Sequence, residues 1–353
     1  MKKILITVLV FLFIGLPCQA LQSDKVNVLS LDGGGIKSLI TLKVLAYIEA
    51  QTGKKTGELF DYIAGTSSGG MLTLYLTMPS EQNPNVPRYS ATDVIELLQY
   101  DSRQIFKAKT TAKFFSKPAV QLFNTPYCLN TMTEMTDNRF KTYQMKDSTN
   151  NIFVLTFDTE TNQPVCFTSY DKRYNDAPMS MVAAATSVAP FYFSPINYFD
   201  KALNKNRTLI DGGLVAKNPS VFAYQEAKKL FPGKKVNLVS LGAGYQEKTD
   251  YNYEKLKNWG FLKYSLPTYT FMLDGVTNTN HLYMANLKNI DKSYHYYRFQ
   301  PCLYKKDGFD NKPDNTSPKN FSILLKIGDE YVKTIKPQLD AMIKDINNSN
   351  ASL

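Results

Sequence analysis

Ser67 stands in Gly65-Thr66-Ser67-Ser68-Gly69, after the apolar run Asp61-Tyr62-Ile63-Ala64 and before an apolar stretch from Gly70 to Met78. This is a serine on a strand-to-helix turn. Such a turn is too tight for side chains at its flanks, so both flanks need glycine, and it exposes the hydroxyl at a helix N-terminus. The positive end of the helix dipole favours the anion formed when that hydroxyl attacks. The chemistry on offer is acyl transfer, which also requires a base for the serine proton and donors for the developing oxyanion.

Donors are suggested upstream. Asp32-Gly33-Gly34-Gly35 lies between the apolar run Val26 to Leu31 and a stretch of helical periodicity from Ile36 to Gln51. Backbone N–H groups of Gly33, Gly34 and Gly35 can there turn toward one point without side chains in the way. A nucleotide-phosphate loop is the rival use of these glycines. It is disfavoured by Ser38, which stands where the last glycine of G-x-G-x-x-G belongs, and by the absence of G-x-x-x-x-G-K spacing.

The base decides the reaction type. The chain has two histidines, His281 in a helical stretch and His295 in a Tyr-rich strand, neither with a glycine turn to present it. Asp211 is better placed. It ends the short strand Thr208 to Ile210, and Gly212-Gly213 behind it remove side chains that would keep another group away. Partial shielding from water raises a carboxylate's pKa and improves its match to a serine hydroxyl.

Strand, helix, strand, helix at the start of the chain implies a parallel sheet covered on both faces. In such sheets neighbouring strand ends open on one edge, so the glycine loop and the elbow can face each other. Further strands are expected at Asn151 to Phe157, Val165 to Tyr170, Val236 to Leu241 and near 293–299. Helices are expected at Asp93 to Ser102, Ser180 to Ser187, Ser220 to Leu230, 265–290 and 320–345. The aromatic stretch from Phe106 to Tyr143 reads as a satellite core, or as a cap or acyl-chain channel.

Composition sets the remaining bounds. Of 353 residues 43% are hydrophobic and 20% charged, an ordinary globular balance. Lys2-Lys3, the apolar run Ile4 to Leu16 and Cys18-Gln19-Ala20 read as a secretory signal peptide over 1–20. A secreted or periplasmic location is therefore expected, with no transmembrane segment after its removal. Cys128, Cys166 and Cys302 would remain, enough for one disulfide but not for a framework, and their spacing fits no zinc site. The net charge of +10 draws the protein to anionic surfaces, including acidic headgroups; the charges are spread rather than run together, so nucleic acid is not an expected partner.

Taken in order, Asp32-Gly33-Gly34-Gly35-Ile36-Lys37, Gly65-Thr66-Ser67-Ser68-Gly69 and Asp211-Gly212-Gly213 resemble the patatin-like phospholipases. The segment from Ala184 to Pro195 looks like that family's Ala-Thr-Ser-x-Ala-Pro-x-Tyr-Phe stretch, and Leu241-Gly242-Ala243-Gly244 is similar to its later glycine turn. The resemblance implies a three-layer α/β sandwich with a mostly parallel central sheet flanked by helices and no separate second domain. It places one catalytic domain at 21–310, its motif-bearing core at 26–244, and a loop and helix at 311–353 packed on the same domain. It makes Ser67 the nucleophile and Asp211 the general base. Gly33, Gly34, Gly35 and Ser68 become the oxyanion donors, and Asp32, Lys37, Gly65, Gly69, Gly212 and Gly213 the supporting residues. The implied activity is metal- and cofactor-free hydrolysis of acyl esters in phospholipids or other acyl lipids, at a peripheral, reversible membrane contact. Two alternatives stay open: an α/β-hydrolase-type esterase with a Ser67–His281 relay, and an inactive lipid-binding protein of the same fold.

Overall fold

A computed structural model describes residues 24–106, 131–190, 192–246, 251–304, 307–310, 312 and 314–350. The expected signal peptide, most of the aromatic stretch before 131, Cys128 and Phe191 lie outside these residues.

In chain order the elements are β1 (Lys25–Leu31), α1 (Ser38–Thr52), α2 (Thr56–Leu59), β2 (Tyr62–Thr66), α3 (Ser68–Leu76), α4 (Ala91–Ile105) and α5 (Thr131–Phe140). There follow β3 (Asn151–Asp158), β4 (Gln163–Thr168), α6 (Met179–Ser187), β5 (Ile196–Asp200), β6 (Lys205–Asp211), α7 (Gly213–Ala216) and α8 (Ser220–Leu230). The chain ends with β7 (Lys235–Leu241), α9 (Tyr253–Leu256), α10 (Phe261–Leu287), β8 (Tyr294–Phe299) and α11 (Pro318–Asn350).

The strands form one sheet in the order β5-β6-β3-β2-β1-β7-β8, with β4 also on β3. From β3 through β8 every pairing on this path is parallel, whereas β4, β5 and β6 run antiparallel to their partners. The sheet is thus mixed at one end. The reason is local: hairpins join β3 to β4 and β5 to β6, each turning on an asparagine in the left-handed region, Asn162 and Asn204. Sequence reading placed no strand at β5, because Ile196–Asp200 is too short and polar to stand out from the turn after it.

The strands are apolar on both faces because helices cover both. Leu29, Leu31, Ile63, Ile152, Val154 and Val239 pack with α1, α3 and α6 on one side. The alternate residues Val28, Tyr62, Ala64, Phe153 and Leu238 pack with α8 and α10 on the other. A period of two between two covered faces gives the near-continuous hydrophobic runs of buried strands. Helix α11 lies along α1, held by Lys43–Asp329 at 2.6 Å and a hydrogen bond from Tyr47 to Asp340 at 2.6 Å. Among the described residues no helix is long and apolar enough to cross a membrane.

Several glycines are fixed by close backbone approach rather than by turn conformation. A Cβ on Gly69 would lie 2.2 Å from the Leu31 carbonyl oxygen, so only glycine lets α3 start against the end of β1. Gly69→Ala is expected to cost about 1–3 kcal/mol in denaturant unfolding, since no rotamer relieves a backbone clash. Gly275→Ala, inside α10 with nothing within 4 Å, should instead stabilise by about 0.5–1 kcal/mol.

Candidate active site

The site is assembled by one strand edge. Residues 62–66 of β2 pair with 151–155 of β3, and β6 then takes over the same edge at Thr156–Asp158. Because β4 occupies the other edge, β2 and β6 meet end to end along β3, their C-termini pointing at each other. Thr66 is opposite Leu155 and Asp211 opposite Thr156. The residue that follows β2 and the last residue of β6 are therefore brought together by register alone.

That residue is Ser67, and its backbone is strained: φ is 56° and ψ −129°, a region a side chain occupies at a cost of about 1–3 kcal/mol. Its hydroxyl donates to Asp211 Oδ2 at 2.7 Å, while Asp211 Oδ1 accepts the Gly213 N–H at 2.7 Å. Asp211 is buried. Burial raises its pKa to about 6, and the two hydrogen bonds from Ser67 and Gly213 keep it from rising further. The Ser67 N–H donates to Thr186 Oγ1 at 2.8 Å, and the Thr186 hydroxyl donates to the Leu155 carbonyl at 2.6 Å. Thr186, within the segment Ala184 to Pro195, thus ties the elbow to the strand edge that sets the register.

The glycine loop faces the elbow at contact distance. A Cβ on Gly33 would sit 3.0 Å from Ser67 Cβ, and one on Gly34 would sit 2.2 Å from Ala243 Cβ. Two of the four donors expected from sequence are already engaged, however. Gly33 donates to the Lys217 carbonyl at 2.9 Å, and Gly34 to Ser68 Oγ at 2.8 Å. Their amides hold the loop in place and are not open to an oxyanion in this arrangement. Gly35, at φ 57°, and Ser68, the first residue of α3, have N–H groups with no hydrogen-bond partner among the described residues. Ser38, the departure from glycine, lies with its Oγ 2.7 Å from Ser68 Oγ and so braces the same contact.

Beneath the loop, Asp32 is clasped by Arg298 of β8 in a buried bidentate pair at 2.8 and 2.6 Å, and Arg298 also donates to Ser240 Oγ at 2.7 Å. Arg298 was missed in the sequence. Its signal was an arginine at the C-terminal end of an aromatic strand, the end at which such sheets build sites. Lys37 is half-buried beside the loop; burial, with Lys217 nearby, lowers it to about 8. Lys217 pairs with Asp274 of α10 at 3.1 Å.

The histidines lie elsewhere. His281 Nδ1 is 3.3 Å from the Tyr296 hydroxyl, and His295 pairs loosely with Asp345 at 3.7 Å from an exposed position. Ser67 Oγ has Asp211 as its partner, so the geometry offers no Ser67–His281 relay. Cys166 and Cys302 are free thiols.

This arrangement can be set against known proteins. The sequence profile described as patatin-like phospholipase matches residues 29–224, more than half of the chain. The chain belongs to the patatin-like phospholipase family. Patatin-like protein 2 of Arabidopsis thaliana is 28% identical, covering 93% of this chain and 87% of its own. Patatin group J-1 of Solanum tuberosum is 26% identical over 94% of this chain and 90% of its own. A further Solanum tuberosum relative, named probable inactive patatin-3-Kuras 1, is 26% identical over 89% and 88% of the two chains. Among solved structures, human GIVD cytosolic phospholipase A2 aligns over 95% of this chain and 65% of its own, with 10% identity and a TM-score of 0.48. Membership of this patatin-like family supports lipid acyl hydrolysis as the general activity.

A buried carboxyl raised to about 6 has a consequence for stability. Its folded pKa is above the unfolded value, so its contribution is present below about pH 4 and is lost as pH rises through about 6. Asp211→Asn should therefore stabilise the fold by up to about 3 kcal/mol at pH 8. Thermal melts across pH 4.5 to 8 should show that gain shrinking toward acid; a gain independent of pH would contradict the assignment.

Proposed function

We propose that this patatin-like chain is an exported lipid acyl hydrolase, of phospholipase A or lysophospholipase type, working through a Ser67–Asp211 dyad. The observation that carries the reading is the 2.7 Å hydrogen bond from the strained Ser67 to a buried carboxylate. Asp211 takes the Ser67 proton as Oγ attacks the ester carbonyl of a membrane lipid. The N–H groups of Gly35 and Ser68 stabilise the tetrahedral oxyanion, the latter aided by the start of α3. Asp211 returns the proton to the leaving alcohol. It then activates the water that cleaves the acyl-serine ester and releases the fatty acid. Export rests on the run from Lys2 to Ala20, and recovery of a protein beginning at Leu21 from the culture medium or periplasm would test it.

A general base must be ionised to act. With Asp211 near 6, kcat/KM for a short-chain ester should climb with pH and level off above about 7. Ser67→Ala and Asp211→Asn should each lower kcat/KM by about a thousandfold or more, while His281→Ala stays within about twofold. Covalent labelling of Ser67 by a fluorophosphonate separates an active enzyme from an inactive lipid-binding relative. Full activity in Asp211→Asn would overturn the dyad.

A further inference from the structure

Helix α10 has two unlike sides. Its inner side forms a wall over the dyad: Leu273 packs above Gly213, Thr277 and Met284 are buried, and burial, with the Asp211 carboxylate nearby, raises the pKa of Tyr269. Its outer side is exposed and uncharged, with large apolar side chains interspersed among Thr268, Gly275, Thr279 and Asn286. Phe261, Tyr264, Met272, Leu282 and Tyr283 fall within an arc of about 100° on the helical wheel, and Ile290 continues the row just past the helix end. Phe261 is 87% exposed, Leu282 60% and Met272 54%.

A solvent-facing side of a helix this long normally carries charge. Here Lys263 and Asp274 are the charged residues of the 27, and both lie off the arc. Asp274 turns toward Lys217 instead. Lysines stand at both ends of the helix: Lys263 near its start and Lys288 and Lys292 past its end are exposed and have no ion-pair partner among the described residues, and Lys255 precedes it. The acidic residues of the neighbourhood are already engaged, Glu254 with Lys257 and Asp291 with Lys228. An uncharged face carrying large exposed apolar side chains, with unpaired lysines at both ends of its helix, is complementary to a bilayer with anionic headgroups. It is a poor match for a second copy, which would bring the same lysines against one another.

We propose that the outer face of α10 is the surface by which this protein docks on an anionic lipid bilayer. Docking there would seat the helix that walls the dyad against the substrate-bearing surface. The assignment rests on the lipid hydrolase reading for the identity of the partner.

Trp259, the chain's single tryptophan, lies just before α10, edge-on to Tyr251 and Tyr264 at 5.6 and 5.4 Å, and reports on this surface directly. The test uses the whole protein with vesicles of ether-linked phosphatidylcholine, alone or mixed with ether-linked phosphatidylglycerol, neither of which offers an ester to cleave. The expected result is flotation with the mixed vesicles and a blue shift of Trp259 emission. Met272→Asp combined with Leu282→Asp should lower partitioning about tenfold or more, with hydrolysis of a soluble short-chain ester unchanged. If that variant melts early, Lys288→Glu with Lys292→Glu supplies a second test and must erase the preference for phosphatidylglycerol. Equal flotation of wild type and the aspartate variant, or a preference that survives charge reversal, overturns the proposal. So does a wild-type dimer that the aspartate pair dissociates without any vesicle binding. Failure of the wild type to hydrolyse the soluble ester would count against the enzymatic reading and leave the docking result standing.

Discussion

The edge of β3 is the constraint on which the rest depends. A strand edge can serve two partners only if they occupy different residues, and here β2 ends where β6 begins. Two chain segments 144 residues apart in sequence are thereby aligned tip to tip, with Leu155 and Thr156 as the joint. Small features nearby serve that joint. Gly212 approaches the Leu155 carbonyl so closely that a Cβ would lie 2.3 Å from it, and Thr186 donates to the same oxygen while accepting the Ser67 amide. A one-residue slip of β6 would turn the Asp211 side chain to the opposite face of the sheet, because side chains alternate with a period of two. The Ser67–Asp211 contact and the sheet register are one property in this fold.

The second support is electrostatic. Asp32 and Arg298 are both buried, and their bidentate pairing fixes the root of the glycine loop to the far strand of the sheet. Such a pair is weak evidence for net stability, since desolvating two charges offsets much of their attraction. Its value here is positional. Removing either partner would leave an unpaired charge inside, a loss of about 3–5 kcal/mol, and would free the loop that must lie against Ser67. The Ser38–Ser68–Gly34 chain of hydrogen bonds acts on the same loop from its open side.

Much of this was legible in the residues. The long periodic helices and the buried strands stand where apolar spacing placed them, and the serine elbow and its aspartate meet as their glycine-flanked contexts suggested. What the sequence could not display was pairing across distance. Nothing in Lys205–Asp211 states that it runs antiparallel beside β3, and nothing in a tyrosine-rich strand states that its arginine reaches back to Asp32. Donor assignment failed to be legible for a related reason. Three consecutive glycines have the same freedom on paper, and only packing decides that Gly33 and Gly34 spend their amides on Lys217 and Ser68. The apolar face of α10 was hidden too, because the same residues would read as core until the neighbouring layer is seen not to cover them.

The surroundings of the carboxylate beside Ser67 set its basicity. An exposed aspartate, near 4, would be too weak a base for a serine hydroxyl. One buried without hydrogen bonds would stay protonated at neutral pH and could accept nothing. Asp211 sits between these limits: burial raises it, the Ser67 hydroxyl and the Gly213 amide restrain it, and the balance is about 6. Both restraining bonds arise from the same head-to-head junction that positions Ser67. The base strength of Asp211 is therefore set by the register of β6, and a change that loosened the junction would move its pKa and its aim together.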